Sequence, residues 1–136
     1  MKWSVYASHV MMYDTDILIW IQRGNQKAAR MVEKDQQKSL SIQSYMELLQ
    51  GARDKVEQKC VQDFIYAFDF EVLPLSENIG HRALVYVEEY ALEAGMRSAD
   101  ALIAATAVER NMELVSSNTK HFRAVKDLRL KPFRPG

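Results

Sequence analysis

Four side chains with carboxylate or amide oxygens lie next to predicted strand ends or helix starts. They are Asp14, Glu47, Asp100 and Asn118. Carboxylate oxygens together with an amide oxygen form a hard-ligand set that suits Mg²⁺ or Mn²⁺. Acids that are crowded together repel each other, so without a cation some of them would take up protons. With one or two divalent ions such a cluster can hydrolyse a phosphodiester, because the metal activates a water molecule and neutralises phosphoryl charge.

Each of the four residues also has a purely structural interpretation. Asp14 would cap the helix that follows it, and Ser44 and Glu47 have the spacing of a capping box, in which Glu47 bonds back to the Ser44 N–H. Asp100 would be a first-turn acid that the helix dipole favours. Asn118, after two serines, would be an ordinary turn residue.

The predicted elements favour a shared site over independent caps. Short apolar runs that predict buried strands alternate with helical patterns, which implies a parallel sheet covered on both faces. Ligands of such sheets bind outside the carboxyl ends of the strands, where all four candidates are expected to lie. The predicted strands cover residues 10–13, 39–42, 70–73 and 112–116, with a last edge strand at 128–130.

Several helix boundaries and one buried thiol are also predicted. Ser98 is expected to cap a helix that holds Asp100 in its first turn and is buried on most sides. Asn25 and Ser76 are expected to cap two further helices. The single Cys60 lies on the apolar stripe of an amphipathic helix, which predicts a reduced, buried thiol and a cytoplasmic location.

Length, apolar runs and net charge limit the number of domains and the kinds of partner that we expect for this chain. The 136 residues fit a single domain, in which residues 1–9 are a possible N-terminal extension and residues 132–136 a C-terminal tail. We expect no membrane span, because no apolar run approaches about 18 residues, and the N-terminus makes a poor signal peptide. Net charge is zero, so the whole chain carries no electrostatic footprint for nucleic acid.

The distribution of charge is nevertheless uneven. From Thr119 to Gly136 six basic residues stand against the single acid Asp127. Such a basic end is compatible with an RNA-facing edge, while a solvated surface is the simpler alternative. The six basic residues are Lys120, Arg123, Lys126, Arg129, Lys131 and Arg134.

Four segments of the chain, in order and context, resemble the PIN domain and, within it, the VapC-type toxins of type II toxin–antitoxin systems. The segments are YDTDILIWIQRG, SIQSYMELLQGAR, SADALIAATAVERN and LVSSNTKHF. The similarity runs from Tyr13 to about Arg123. Its specific parts are the Asp-Ala-Leu-Ile-Ala-Ala-Thr-Ala helix and the strand that ends in Ser-x-Asn before His-Phe.

The resemblance implies an α/β fold, a three-layer α/β/α sandwich with a central, mainly parallel sheet, and a Mg²⁺- or Mn²⁺-dependent endoribonuclease. It implies that Asp14, Glu47, Asp100 and Asn118 are catalytic, the three acids being metal ligands. Asn118 takes a position where many members have Asp, and an amide binds a metal less strongly and cannot act as a base. The resemblance also implies a homodimer and an antitoxin protein that docks over the active site.

Further residues are given supporting roles. Asp16, Thr15 and Ser116 are expected to support the metal ligands without binding the ion. Lys120 and Arg123 would position the RNA backbone. His121, which like the other histidines lacks metal-ligand spacing, could still contact a phosphate. The full set of residues expected to contact RNA is Lys120, His121 and Arg123.

Two other functions remain open at the level of sequence. One is a catalytically inactive PIN-like module that only binds RNA or protein. The other is a haloacid-dehalogenase-type phosphatase, for which Asp14-Thr15-Asp16 would be the nucleophile loop, although Leu18 stands where that family has Thr or Val. Metal binding at Asp14 and Asp100 separates the nuclease from a pure interaction module.

Overall fold

The computed structural model describes residues 10–136, and the possible extension at residues 1–9 lies outside them. Strands and helices alternate along the chain as expected, with boundaries within one or two residues of those predicted. The strands are β1 (Met11–Tyr13), β2 (Ser39–Ser41), β3 (Glu71–Leu73), β4 (Glu113–Ser116) and β5 (Leu130–Pro132). The helices are α1 (Thr15–Gln22), α2 (Gln26–Lys34), α3 (Ile42–Gln50), α4 (Lys55–Ala67), α5 (Glu77–Ala94), α6 (Ser98–Glu109) and α7 (Thr119–Phe122).

The five strands form one sheet in the order β3-β2-β1-β4-β5. All four strand pairs are parallel, and Tyr13 at the end of β1 pairs with Val115 near the end of β4. The order of the strands reverses between β1 and β4. Ligands of open parallel sheets bind at such a switch point, so the loops after β1 and β4 hold the expected site.

Alternation along the strands divides the apolar side chains between two cores. Met12 and Leu114 belong to the core shared with α5, α6 and α7. Tyr13 and Val115, the next residue of each strand, belong to the core shared with α1 to α4. Successive side chains of a strand point to opposite faces of the sheet, so helices cover both faces. The predicted three-layer α/β/α sandwich is confirmed.

Three predicted local features, which are the caps of α2 and α5 and the burial of α6, agree with the structure. Asn25 caps α2 by accepting a hydrogen bond from the Ala28 N–H, and Ser76 caps α5 in the same way. Gly95 ends α5 with a φ of +70°, a left-handed conformation that glycine adopts without a Cβ penalty. Helix α6 is buried on most sides, as its small and aliphatic residues predicted.

Two predicted N-cap residues are wrong. The extended residue before α6 is Arg97, not Ser98, and it is the Arg97 N–H that donates to Asp100 Oδ2 at 3.2 Å. The cap of α3 is Ser41, whose hydroxyl accepts from the Ser44 N–H at 3.0 Å. Strand β2 passes directly into α3 without a loop, so the helix begins before Ser44 and the predicted capping box does not form.

The prediction of a buried thiol is also wrong, because Cys60 is exposed. The buried face of α4 is formed by Val61 and Ile65, and Val56 also lies on the solvent side of the helix, with 72% of its surface exposed. A helix turns about 100° per residue, so an apolar residue next to the buried stripe can face water. Within residues 10–136, no helix is both long and apolar enough to cross a lipid bilayer.

Candidate metal centre and active site

Asp14 lies at the end of the central strand β1 and is only 6% exposed. Its Oδ1 accepts a hydrogen bond from the Thr15 N–H at 2.8 Å, so the residue caps α1. Its Oδ2 accepts from the Ser116 hydroxyl at 2.7 Å, which links the ends of β1 and β4. Asp14 is therefore both a helix cap and a buried carboxylate at the switch point.

The pKa of the Asp14 carboxyl is raised from 3.8 to about 7, mainly by burial and also by the negative charges of Asp16 and Asp100. Hydrogen bonds from Ser116 and Thr15 act in the opposite direction. Asp100 makes the smallest of these contributions. A cation placed among these acids would favour the charged form of Asp14.

Glu47 reaches the site from α3 through a contact with α1. Its Oε1 accepts a hydrogen bond from the Thr15 hydroxyl at 2.8 Å. Thr15 directly follows Asp14, so its backbone N–H holds one predicted ligand while its side chain holds another. The expected role of Thr15 in supporting metal ligands stays a prediction.

Asp100 is held at the start of α6 through a single carboxylate oxygen. Oδ2 accepts from the Arg97 N–H at 3.2 Å and lies 3.0 Å from His121 Nδ1. The Asp100 side chain is 18% exposed and that of His121 is 24% exposed. The contact with His121, which lies on α7, was not foreseen from the sequence.

Asp16 is bound to the loop after β4. Its Oδ2 accepts from the Ser117 N–H at 3.0 Å and from the Ser117 hydroxyl, which also accepts from Trp20 Nε1 at 3.1 Å. Oδ1 of Asp16 is buried and has no hydrogen-bond partner among the described residues. Sequence reasoning missed Ser117 and Trp20, although Ser117 directly follows a strand and could have been found by the rule that singled out Asn118.

The other predicted residues lie at the edge of the site. Asn118 is exposed, and its backbone N–H donates to the Ser116 hydroxyl at 2.9 Å. Lys120, His121 and Arg123 line a groove of about 450 Å³ between α7 and the end of α5. Since His121 also contacts Asp100, this basic groove opens beside the acidic centre.

A family model described as the PIN domain matches residues 11–128. The chain belongs to the PIN domain family. This confirms the expected family and excludes the haloacid-dehalogenase phosphatase as an alternative. By sequence, the chain matches none of the curated proteins with which it was compared.

Solved structures resemble this PIN domain over nearly its whole length. A toxin–antitoxin complex from Klebsiella pneumoniae contains a chain that is 28% identical to this one, with a TM-score of 0.72. The match covers 93% of this chain and 98% of the Klebsiella chain. VapBC2 from Rickettsia felis, bound to a DNA fragment from its promoter, is 20% identical with a TM-score of 0.75, covering 92% and 99%. FitAcB from Neisseria gonorrhoeae is 20% identical with a TM-score of 0.72, covering 93% and 98%. The last two structures, each 20% identical to this chain, show that they share its fold.

The acidic centre of this PIN domain fits a hydrated divalent ion. No three His, Cys, Asp or Glu side chains of residues 10–136 already surround one point as a closed metal site. Mg²⁺ keeps several waters and usually binds only one or two carboxylates, and Asp14 and Asp100 are the two that this centre would offer. The unpartnered Oδ1 of Asp16 and the raised pKa of Asp14 both indicate negative charge that a cation would neutralise.

Proposed function

We propose that this PIN domain is a Mg²⁺- or Mn²⁺-dependent endoribonuclease and the toxin of a toxin–antitoxin pair. The observation that carries the proposal is the carboxylate of Asp14, which is buried at the end of β1 and hydrogen-bonded to Ser116 at the end of β4. Neither Asp14 nor Asp100 is paired with a lysine or arginine in the described structure. A purely structural role for these acids would favour such a pair. Buried acids without such a partner are costly unless a cation neutralises them.

Each residue has a distinct part in the proposed reaction. Asp14 and Asp100 hold the ion, and Glu47, oriented by Thr15, is the third acidic ligand. When bound, the ion would lower the pKa of a water molecule and neutralise charge on the phosphoryl oxygens. Asn118, which is exposed at the edge of the site, would be a weaker ligand.

Basic side chains beside the centre would position the substrate. Lys120 and Arg123 are exposed on and after α7 and line the groove that adjoins Asp100. Cationic side chains at such places bind phosphates and fix the register of a nucleic acid without reading its sequence. The RNA backbone is therefore proposed to cross this groove. The cytoplasmic location predicted from the sequence agrees with an RNA substrate, and it stays a prediction.

The proposed partners follow from the family and from the similar structures. The Klebsiella pneumoniae structure is described as a toxin–antitoxin complex, which supports an antitoxin as a partner of this chain. We further propose a homodimer, which light scattering of the purified protein would test. An antitoxin that docks over the active site would protect RNA from cleavage in the same assay that tests the nuclease.

Cleavage of total cellular RNA by the purified protein tests the proposed function. We expect discrete fragments in Mg²⁺ or Mn²⁺, none with a chelator, and a fall in rate on the order of 100-fold for Asp100→Asn. This variant should fold, because the Asn side chain can still accept the Arg97 N–H. Asp63→Asn is the matched control, since Asp63 is an exposed acid on α4 paired with Lys59.

Two results would contradict the proposal. Cleavage by Asp100→Asn at the wild-type rate would show that the site is wrongly assigned. Absence of cleavage together with absence of Mn²⁺ binding by calorimetry would favour the alternative of a catalytically inactive module that binds RNA or protein.

A further inference from the structure

We propose that His121 is a positioning residue for the metal centre, which it serves by fixing the orientation of the Asp100 carboxylate. The inference rests on the proposed function, because it concerns how that centre binds its ion. His121 lies on α7, 21 residues from Asp100 along the chain, and its Nδ1 is 3.0 Å from Asp100 Oδ2. Both side chains are mostly buried, which strengthens a hydrogen bond relative to one in water.

The direction of this hydrogen bond follows from the chemistry of the two groups. An ionised carboxylate only accepts hydrogen bonds, so Nδ1 of His121 must carry the proton and donate it. Oδ2 of Asp100 therefore has two donors, His121 Nδ1–H and the Arg97 N–H. A metal ion held through Oδ1 would leave both contacts intact. His121 thus selects which carboxylate oxygen is offered to the ion.

The surroundings of His121 hold its ring in place. The next residue, Phe122, is fully buried in the core that α7 shares with α5 and α6. On the other side, His121 Nε2 lies 3.9 Å from the position that a Cβ on Gly95 would take. The ring therefore lies between the end of α5 and the start of α6, where it meets Asp100. A carboxylate whose orientation is already set by a hydrogen-bonded neighbour needs no rearrangement when the ion binds.

His81 provides an internal comparison. It lies on α5, its side chain is 73% exposed, and its nearest acid is Glu77 at 3.7 Å. That distance is beyond a hydrogen bond, and His81 lines a different groove together with Glu109, which lies at the other end of α6 from Asp100. His81 is thus a matched control for the loss of a histidine.

The test is the affinity of the full chain for Mn²⁺ alone, measured by electron paramagnetic resonance of the free ion. We would compare the wild type with His121→Asn, His121→Leu and His81→Leu. An Asn amide places its nitrogen close to the position of histidine Nδ1, whereas Leu fills similar space without a donor. We expect His121→Leu to weaken Mn²⁺ binding about tenfold, as is typical when a residue that orients a metal ligand is lost. We expect His121→Asn to stay within about threefold of the wild type and His81→Leu to be unchanged.

Other results would overturn the inference. Equal affinities for the Asn and Leu variants would show that the Nδ1 donor is not what matters, whether both bind as the wild type does or both bind weakly. Loss of binding in the Asn variant alone would have the same meaning. If the wild type itself failed to bind Mn²⁺, the proposed function and this inference would fall together. If it bound Mn²⁺ and His121→Leu bound equally well, only the role of His121 would fall.

Discussion

Asp14 meets two demands that conflict at neutral pH. As the cap of α1 it accepts a backbone N–H, which a charged carboxylate does well. As a buried group near Asp16 and Asp100, it is destabilised by its own charge. The cation of the proposed metal centre would remove this conflict. The proposed function would then be coupled to the stability of the metal-free protein through this one residue.

Replacing Asp14 with Asn should stabilise the metal-free protein at pH 8. The pKa of Asp14 is raised from 3.8 to about 7, so folding favours the protonated form. That contribution is fully present below pH 4 and is lost as the pH rises through 7. A rise of about three in the pKa corresponds to at most about 4 kcal/mol, which is a rise of at most about 15 °C in melting temperature.

Thermal unfolding in a chelator at pH 8 and at pH 3.5 measures this effect. The Asn variant should melt above the wild type at pH 8, and the difference should vanish at pH 3.5, where both side chains are neutral. Asp63→Asn, which removes an exposed charge, controls for net charge. A wild type that is equally or more stable at pH 8 would show that burial of the Asp14 charge carries no cost.

The helix starts show how the N-cap is chosen when several polar residues compete. Asn25 was predictable because a turn precedes it and an amphipathic helix follows it. Ser41 was not, because Ser44 offers the same cap chemistry three residues later. Arg97 was not, because its side chain has no acceptor whereas that of the next residue, Ser98, does. The backbone decides between them, since the cap is the last residue that keeps extended dihedral angles.

Asn25 joins two elements, so its loss should cost more than a simple cap. Its Oδ1 accepts the Ala28 N–H at 2.9 Å, and its Nδ2 donates to the Pro135 carbonyl at 3.1 Å. Asn25→Ala removes both contacts and should lower the free energy of unfolding by about 1–2 kcal/mol. Asn25→Asp keeps the cap and loses the donor, so it should fall in between.

Urea denaturation of both Asn25 variants measures these costs. If Asn25→Asp were as unstable as Asn25→Ala, the cap would contribute nothing, and if it equalled the wild type, the contact with Pro135 would contribute nothing. The same contact bears on residues 132–136, which were expected to form a tail. Phe133 within this segment is 6% exposed and belongs to the core next to α2.

At the scale of the whole molecule, one charged cluster ties together parts that are distant in sequence. Arg82 on α5 contacts Glu109 at the end of α6 at 2.5 Å and Asp127, in the segment before β5, at 2.8 Å. Tyr86 also donates to Asp127, at 2.9 Å. The cluster joins α5 to the end of α6 and to the segment before β5. Asp100 lies at the start of the same helix α6.

Arg82→Leu should therefore destabilise the fold modestly. Glu109 and Asp127 would lose their shared cation, but both are partly exposed, so we expect a loss of about 1 kcal/mol that shrinks at high salt. Arg53→Leu is the control, because Arg53 pairs with Glu57 on the surface and is 85% exposed. Urea denaturation at low and high salt measures both. Equal effects of the two substitutions would show that the Arg82 cluster is worth no more than a surface pair.

The sequence by itself determined the elements and the individual candidates. Periodicity of apolar residues is a local property, so it placed the strands and helices and put Asp14 and Asp100 at an element's end and start. The rule for parallel sheets then brought the loops after β1 and β4 to one edge. Periodicity did not determine how α4 is rotated about its own axis, so the sequence placed Cys60 on the wrong face of the helix.

Only the tertiary structure decided which side chains meet. Thr15 and Glu47 are 32 residues apart, Asp100 and His121 are 21 apart, and Asp16 and Ser117 are 101 apart. These pairs depend on β4 lying beside β1 and on how α3, α6 and α7 pack around that edge. Such contacts form through side-chain packing between distant segments, and no local pattern in the sequence records them. The sequence could therefore name the acids, while their hydrogen-bond partners came from the fold.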